Sequence, residues 1–193
     1  MLSLKENCKI IIVFIILFSL IFPSAASFED GFGPRRKIES KHFDIYYEPG
    51  VDIFSLARQL DINPSDRVLF GKFENRKFSS FEREFARMLD ALFIQVCDIL
   101  DMPLYSFRTN IKICRDYEHI KRVYYNLFKK NLKRRSFYVY NLNTVYISAE
   151  DFSYAILGHE IAHAIISHYF VVLPSAKIQE LLAVYVEHRL RKR

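Results

Sequence analysis

The sequence predicts an α+β fold, a small mixed sheet packed on helices, from three observations. Short runs rich in aromatic and β-branched residues, at 42–47, 110–114 and 143–148, alternate as strands do. Between them lie longer stretches whose apolar residues recur at three- and four-residue intervals, as on the buried face of a helix. Hydrophobic residues make up 51% of the chain, with 18 Phe and 12 Tyr, which supplies a core and excludes a disordered chain.

Residues 1–26 stand apart from this fold. Lys5 and Lys9 precede an apolar run from Ile10 to Phe22, with Ser19 its one polar residue, followed by Pro23-Ser24-Ala25-Ala26-Ser27. A bilayer span needs about 20 residues and a secretory core about 7–15. The run therefore reads as a signal peptide cut after Ala26, with an uncleaved N-terminal anchor as the alternative. Either places the domain outside the cytoplasm, periplasmic or secreted, and an uncut run through residues 10–22 would tether it to a membrane. Residues 27–39, with Gly31, Gly33 and Pro34, read as a tether, and residues 40–193 as a single domain.

Within the domain, the first strand runs from His42 to Tyr47 and ends at Pro49-Gly50. Val51 to Leu60 reads as a helix and Asn63-Pro64 as a turn, while residues 65–78 fit either a surface excursion or part of the helical region. Ser79-Ser80-Phe81-Glu82 has capping-box spacing, and Phe81, Phe85, Leu89, Leu92 and Val96 carry a long core helix toward Pro103. Asn110 to Cys114 gives a second strand, Asp116 to Phe128 a helix, and Asn143 to Ser148 a third strand. Cys97 and Cys114 form either a disulfide or two buried thiols; they are not in a Cys-x-x-Cys pair and do not suit zinc. His42 and His119, each isolated, read as structural.

The chemistry sits in the next helix, for which Asp151 or Ser153 is the cap. Its sequence, Gly158-His159-Glu160-Ile161-Ala162-His163, contains His-Glu-x-x-His within an apolar run. At about 3.6 residues per turn, His159 and His163 share a face and can converge on one small cation. Glu160 lies about 100° round the helix, where a carboxylate reaches a water on that cation without ligating it. Two His and a Glu buried together cost several kcal/mol unless something compensates them, and a divalent ion is the simplest compensator. A third ligand is required. After Pro174 a second helix begins, with Ser175 as its N-cap, and Glu180 lies on it among apolar residues. Glu187, two turns on, is the fallback ligand or a partner holding an imidazole.

These two segments resemble the gluzincin-type zinc metallopeptidases, in particular the small peptidase MA-like and minigluzincin domains. That family pairs His-Glu-x-x-His-apolar on one helix with Glu-Gly-Leu-Ala-x-Tyr on the next. Here the second motif reads Glu180-Leu181-Leu182-Ala183-Val184-Tyr185. The resemblance extends over about residues 40–190 and implies a zincin-like fold, Zn2+ on His159, His163 and Glu180, Glu160 as general base, and a peptide or protein substrate. It also implies that the strand at 143–148, if it is a sheet edge above the metal, holds an extended peptide by strand addition. Leu181 departs from the family glycine, and Val184 stands where some members carry an Asp. The family's oxyanion donor has no matching residue, and His168, Tyr169, Tyr185 and His188 are the candidates. His168, about 180° from His159 on the helix, is not a ligand.

Lys129, Lys130, Lys133, Arg134 and Arg135 form the densest basic cluster in a chain of net charge +6. They read as a solvated loop and not a nucleic-acid site, since no nucleic-acid-binding motif accompanies them. The alternative to an exported peptidase is a non-catalytic exported zinc-binding or interaction protein of degenerate gluzincin fold; a hydrolase of another carbonyl is a third.

Overall fold

The computed structural model describes residues 30–60 and 80–192. The expectations for residues 1–29, and for the turn and excursion within 61–79, fall outside the described residues. A five-stranded mixed sheet is formed by β1 (Arg36–Glu39), β2 (Phe43–Tyr47), β3 (Thr109–Cys114), β4 (Ser136–Val139) and β5 (Thr144–Ser148), in the order β1-β2-β3-β5-β4. The central pairs β2–β3 and β3–β5 are parallel; β1 and β4 run antiparallel to their neighbours at the two edges. The described helices are α1 (Ile53–Gln59), α2 (Ser80–Leu100), α3 (Tyr117–Phe128), α4 (Tyr154–Tyr169) and α5 (Ala176–Arg191). The α+β class with a mixed sheet is what the sequence pattern called for.

Side chains alternate across the sheet because successive Cβ atoms point to opposite faces. Phe43 and Ile45 of β2, Ile111 and Ile113 of β3, and Val145 and Ile147 of β5 belong to one apolar cluster. That cluster also takes in Phe85, Leu89, Leu92 and Val96 of α2, Leu157, Ile161 and Ile165 of α4, and Ala183, Val186 and Leu190 of α5. On the other face, Cys114 and Tyr146 join Ile120 and Val123 of α3, together with Phe32, Leu132 and Phe137. Both faces being covered, every residue of β5 is buried. Cys97 and Cys114 are buried thiols, not bonded to each other, and lie in different clusters.

Three expectations change. Arg36–Glu39, read as the end of a tether, is β1, paired with β2 from Arg36↔Tyr47 to Glu39↔Asp44. Gly31 and Gly33 ahead of it, both at positive φ, and its own charged residues conceal a four-residue strand that only pairing reveals. The strand ahead of the motif helix is not a sheet edge: β5 lies between β3 and β4, and β4 is the edge on that side. Ser175 precedes α5 but makes no side-chain cap; its carbonyl accepts from Ile178 and Gln179 instead. For α4 the choice falls to Ser153, whose hydroxyl accepts from Ile156 N at 3.2 Å, while Asp151 pairs with Arg135.

One carboxylate ties α2 to the start of the sheet. Asp90 accepts from Ser40 Oγ at 2.7 Å, Lys41 N at 3.1 Å and His42 N at 2.9 Å. His42 is thereby seated with its Nδ1 3.1 Å from Phe107 O and its ring stacked on Phe93. Burial holds the His42 pKa below the ordinary histidine value, so the ring is neutral in the fold. Hydrogen bonds to a charged group contribute about 1.5–3 kcal/mol. Asp90→Ala is therefore expected to lower stability by about 2–3 kcal/mol in urea denaturation, with Asp90→Asn recovering part of the loss.

Candidate metal centre

α4 is apolar on nearly all sides and buried along most of its length, because it is clamped between the sheet, α2 and α5. Gly158 makes the closest approach: a Cβ there would meet Leu190 Cδ1 of α5 at 2.1 Å. The same seam takes up His159 and Glu160, 7% and 4% exposed.

His159 and His163 stand one turn apart with ring centroids 5.0 Å from each other. Glu180 reaches them from α5. Its Oε1 is 3.7 Å from His159 Nε2 and its Oε2 is 3.6 Å from His163 Nε2. One donor atom from each of the three residues lies within 4.8 Å of the others. For ligands about 2.0–2.1 Å from a tetrahedral ion, neighbouring donors are about 3.3 Å apart, so each Glu180 oxygen already stands within about 0.4 Å of that spacing from its imidazole. Glu187 is the partner and not a third ligand: its Oε2 lies 3.1 Å from His159 Nδ1, the nitrogen turned away from Glu180. That approach is at ion-pair distance without hydrogen-bond alignment, and Nδ1 is otherwise buried and unpaired. A carboxylate behind an imidazole fixes which nitrogen faces a cation. The set fits a small divalent ion on these grounds, without selecting which one.

The protonation states agree with that use. Burial, reinforced by the neighbouring His159, pushes His163 down to about 4, so its lone pair is free at neutral pH. For Glu180, burial works to raise the pKa, but the hydrogen bonds and charge of Arg134 and the two imidazoles outweigh it and hold the carboxyl ionised below its usual range. Glu160 behaves oppositely. Burial pushes it up to about 7 against the pull of a Ser136 hydrogen bond and the Arg134 charge. Ser136 Oγ donates to Glu160 Oε1 at 2.7 Å.

Two contributors come from the β4 side and were not expected. Arg134, assigned in the sequence to a solvated loop, donates through Nη1 to both oxygens of Glu180 at 3.1 Å. The rest of the basic cluster stays exposed, with Arg135 on Asp151. Ser136 was not singled out at all. The clue available was the alternation of Ser136 and Tyr138 with Phe137 and Val139, which marks a strand with two distinct faces. A cleft of about 230 Å³ opens beside the site, with Arg134, Ser136, Tyr138, Glu160, His163 and Leu173 among its walls. Of the four residues considered as oxyanion donors, His168 is turned to Ala164 O at 2.9 Å and packs on Phe107. Tyr169, Tyr185 and His188 are not in the cleft wall.

No protein-family model, no curated protein and no solved structure matches this chain.

The buried Glu160 makes stability depend on pH in the metal-free protein. Its folded pKa of about 7 exceeds the ordinary 4.5, so the folded state holds a proton that the unfolded state has released across that window. Stability therefore falls as pH rises from 4.5 to 7. Glu160→Gln removes the titration. In chelator-treated protein the variant is expected to match wild type below pH 4.5 and to exceed it above pH 7, by a gap on the order of 3 kcal/mol. Urea denaturation across pH 4–8 checks the sign.

Proposed function

We infer that the chain is a zinc-dependent metallopeptidase of the gluzincin kind, exported from the cytoplasm, cleaving peptide bonds in a peptide or protein substrate. The observation that carries this reading is the convergence of Glu180 on His159 and His163, with Glu160 buried beside them and opening on the same cleft. The resemblance of the two helix motifs supports it, as does the apolar run at residues 10–22 for the exported location.

His159, His163 and Glu180 would hold the ion, with Glu187 setting the His159 ring from behind. Zinc there would supply Lewis-acid polarisation of a carbonyl and acidify a water toward neutral pH. Glu160 takes the proton of the attacking water and returns it to the leaving amine. Ser136 occupies Oε1 of Glu160, leaving the second oxygen for that proton. A carboxyl that titrates near neutrality exchanges protons in both directions at modest cost, which is what the double role needs. Arg134 keeps Glu180 ionised and turned toward the imidazoles. As the cation in the cleft wall it is also our assignment for stabilising negative charge on a substrate carbonyl oxygen, in place of the four residues named from sequence. The outer edge of β4, unpaired among the described residues, is the place for an extended peptide to add as a strand; β5 is barred from that by β4 itself.

A non-catalytic zinc-binding or interaction protein is the second reading. The observation in its favour is the Arg134–Glu180 pair, which satisfies the carboxylate from within the chain. Glu160→Gln separates the two. The variant is expected to keep one equivalent of zinc by elemental analysis and to lose peptide-library cleavage by about 10²–10⁴-fold. Zinc without cleavage in the wild type would favour the non-catalytic protein; cleavage by Glu160→Gln at the wild-type rate would remove Glu160 from the mechanism.

A further inference from the structure

The turn between α4 and α5 and the outward side of α5 carry apolar side chains that the described residues leave exposed. Val171 and Val172 at the turn are 103% and 82% exposed, and Leu181 on the helix is 68% exposed. The turn is nevertheless held in place, since Gln179 Nε2 donates to Pro174 O at 2.7 Å. Along α5, at about 100° per residue, Ile178, Leu181, Val184 and Tyr185 fall within an arc of roughly 140°. All four are exposed, whereas Ala183, Val186 and Leu190, which point the other way, are in the core.

The charges on this surface identify its partner. Within the same arc lie Lys177 near the start of α5, and His188, Arg189 and Lys192 at its end, all exposed. It contains no Asp or Glu: Glu180 and Glu187 are more than about 100° from its centre, turned to the imidazoles. From Phe170 to Ser175 the turn has no acidic residue either. An apolar strip bracketed by basic side chains is the pattern of a helix lying in an anionic lipid interface, where the Lys and Arg stems reach back to the headgroups. A second copy fits poorly, because two such faces would bring Lys177, Arg189 and Lys192 against one another. Among the described residues no helix is long and apolar enough to cross a membrane, so the contact is peripheral.

We propose that the α4–α5 turn and the outward face of α5 dock on an anionic bilayer surface, with Val171 and Val172 entering the acyl region. The docking is independent of the peptidase reading and of any tether through residues 10–22. Leu173, next to the two valines, is also in the cleft wall, so docking sets the cleft mouth at the lipid surface.

The chain has no Trp, so a single Trp reports its own surroundings. Val172→Trp in the full-length protein replaces an exposed side chain and leaves the core alone. Its emission should shift to shorter wavelength on mixed phosphatidylglycerol–phosphatidylcholine vesicles and be quenched by bromine-labelled acyl chains. Tyr125→Trp, exposed on α3 across the sheet, should show neither effect. Adding Lys177→Gln, Arg189→Gln and Lys192→Gln to Val172→Trp should weaken the vesicle response by about fivefold per charge removed. The proposal is overturned if Val172→Trp emission does not move on anionic vesicles, if Tyr125→Trp moves equally, or if the shift appears on concentrating the protein without lipid. The last result would identify self-association, and the middle one adsorption through some other surface.

Discussion

The seam between α4 and α5 is where burial and polarity are in direct conflict. A helix pair packed this tightly, with Gly158 against Leu190, would normally enclose aliphatic side chains. Here it encloses two imidazoles and three carboxylates, and burial raises the pKa of Glu160 and lowers that of His163. The seam holds together because the polar groups answer one another: Glu187 to His159, Glu180 to both rings, Arg134 to Glu180 and Ser136 to Glu160. Buried polar clusters of this type are costly when any member lacks a partner. The proposed zinc chemistry is one use of that arrangement, since a divalent ion would draw the three ligating side chains together and favour the ionised forms of both carboxylates beside it.

The fold supplies the approach to the seam. β5 is locked in the interior by pairing on both sides, so the edge near α4 belongs to β4, and β4 carries Ser136 and Tyr138 on the α4 side. The polypeptide just ahead of it brings Arg134 over Glu180. The cleft therefore has one wall from a helix and one from a strand edge. It borders the exposed apolar turn through Leu173, so the proposed catalytic and lipid-facing surfaces share a boundary.

What could be read from sequence was local. His159, Glu160 and His163 declare themselves because helical geometry alone relates them, and Glu180 because the break at Pro174 restarts the helix in time to bring it back. The alternation of β2, β3 and β5, and the spacing of Phe85, Leu89, Leu92 and Val96, are equally short-range signals. β1 and β4 escaped notice because four residues carry too little alternation to stand out, and one lies among Gly, Pro and Arg while the other follows a basic cluster. Arg134 escaped for a different reason: its partner is far away in sequence, and nothing in a run of Lys and Arg tells which member meets a carboxylate. The order of strands, and with it the identity of the open edge, is likewise set by pairing between distant segments.

In the proposed metal centre His159, His163 and Glu180 would bind one divalent ion together. X-ray absorption at the zinc edge, on full-length protein loaded with a single equivalent of zinc, tests it without reference to any substrate. Two imidazole nitrogens and oxygen donors are expected around the metal, no sulfur, and loss of that signature in both His163→Ala and Glu180→Ala. Stoichiometric zinc bound through sulfur, or an imidazole signature that survives Glu180→Ala unchanged, would contradict it.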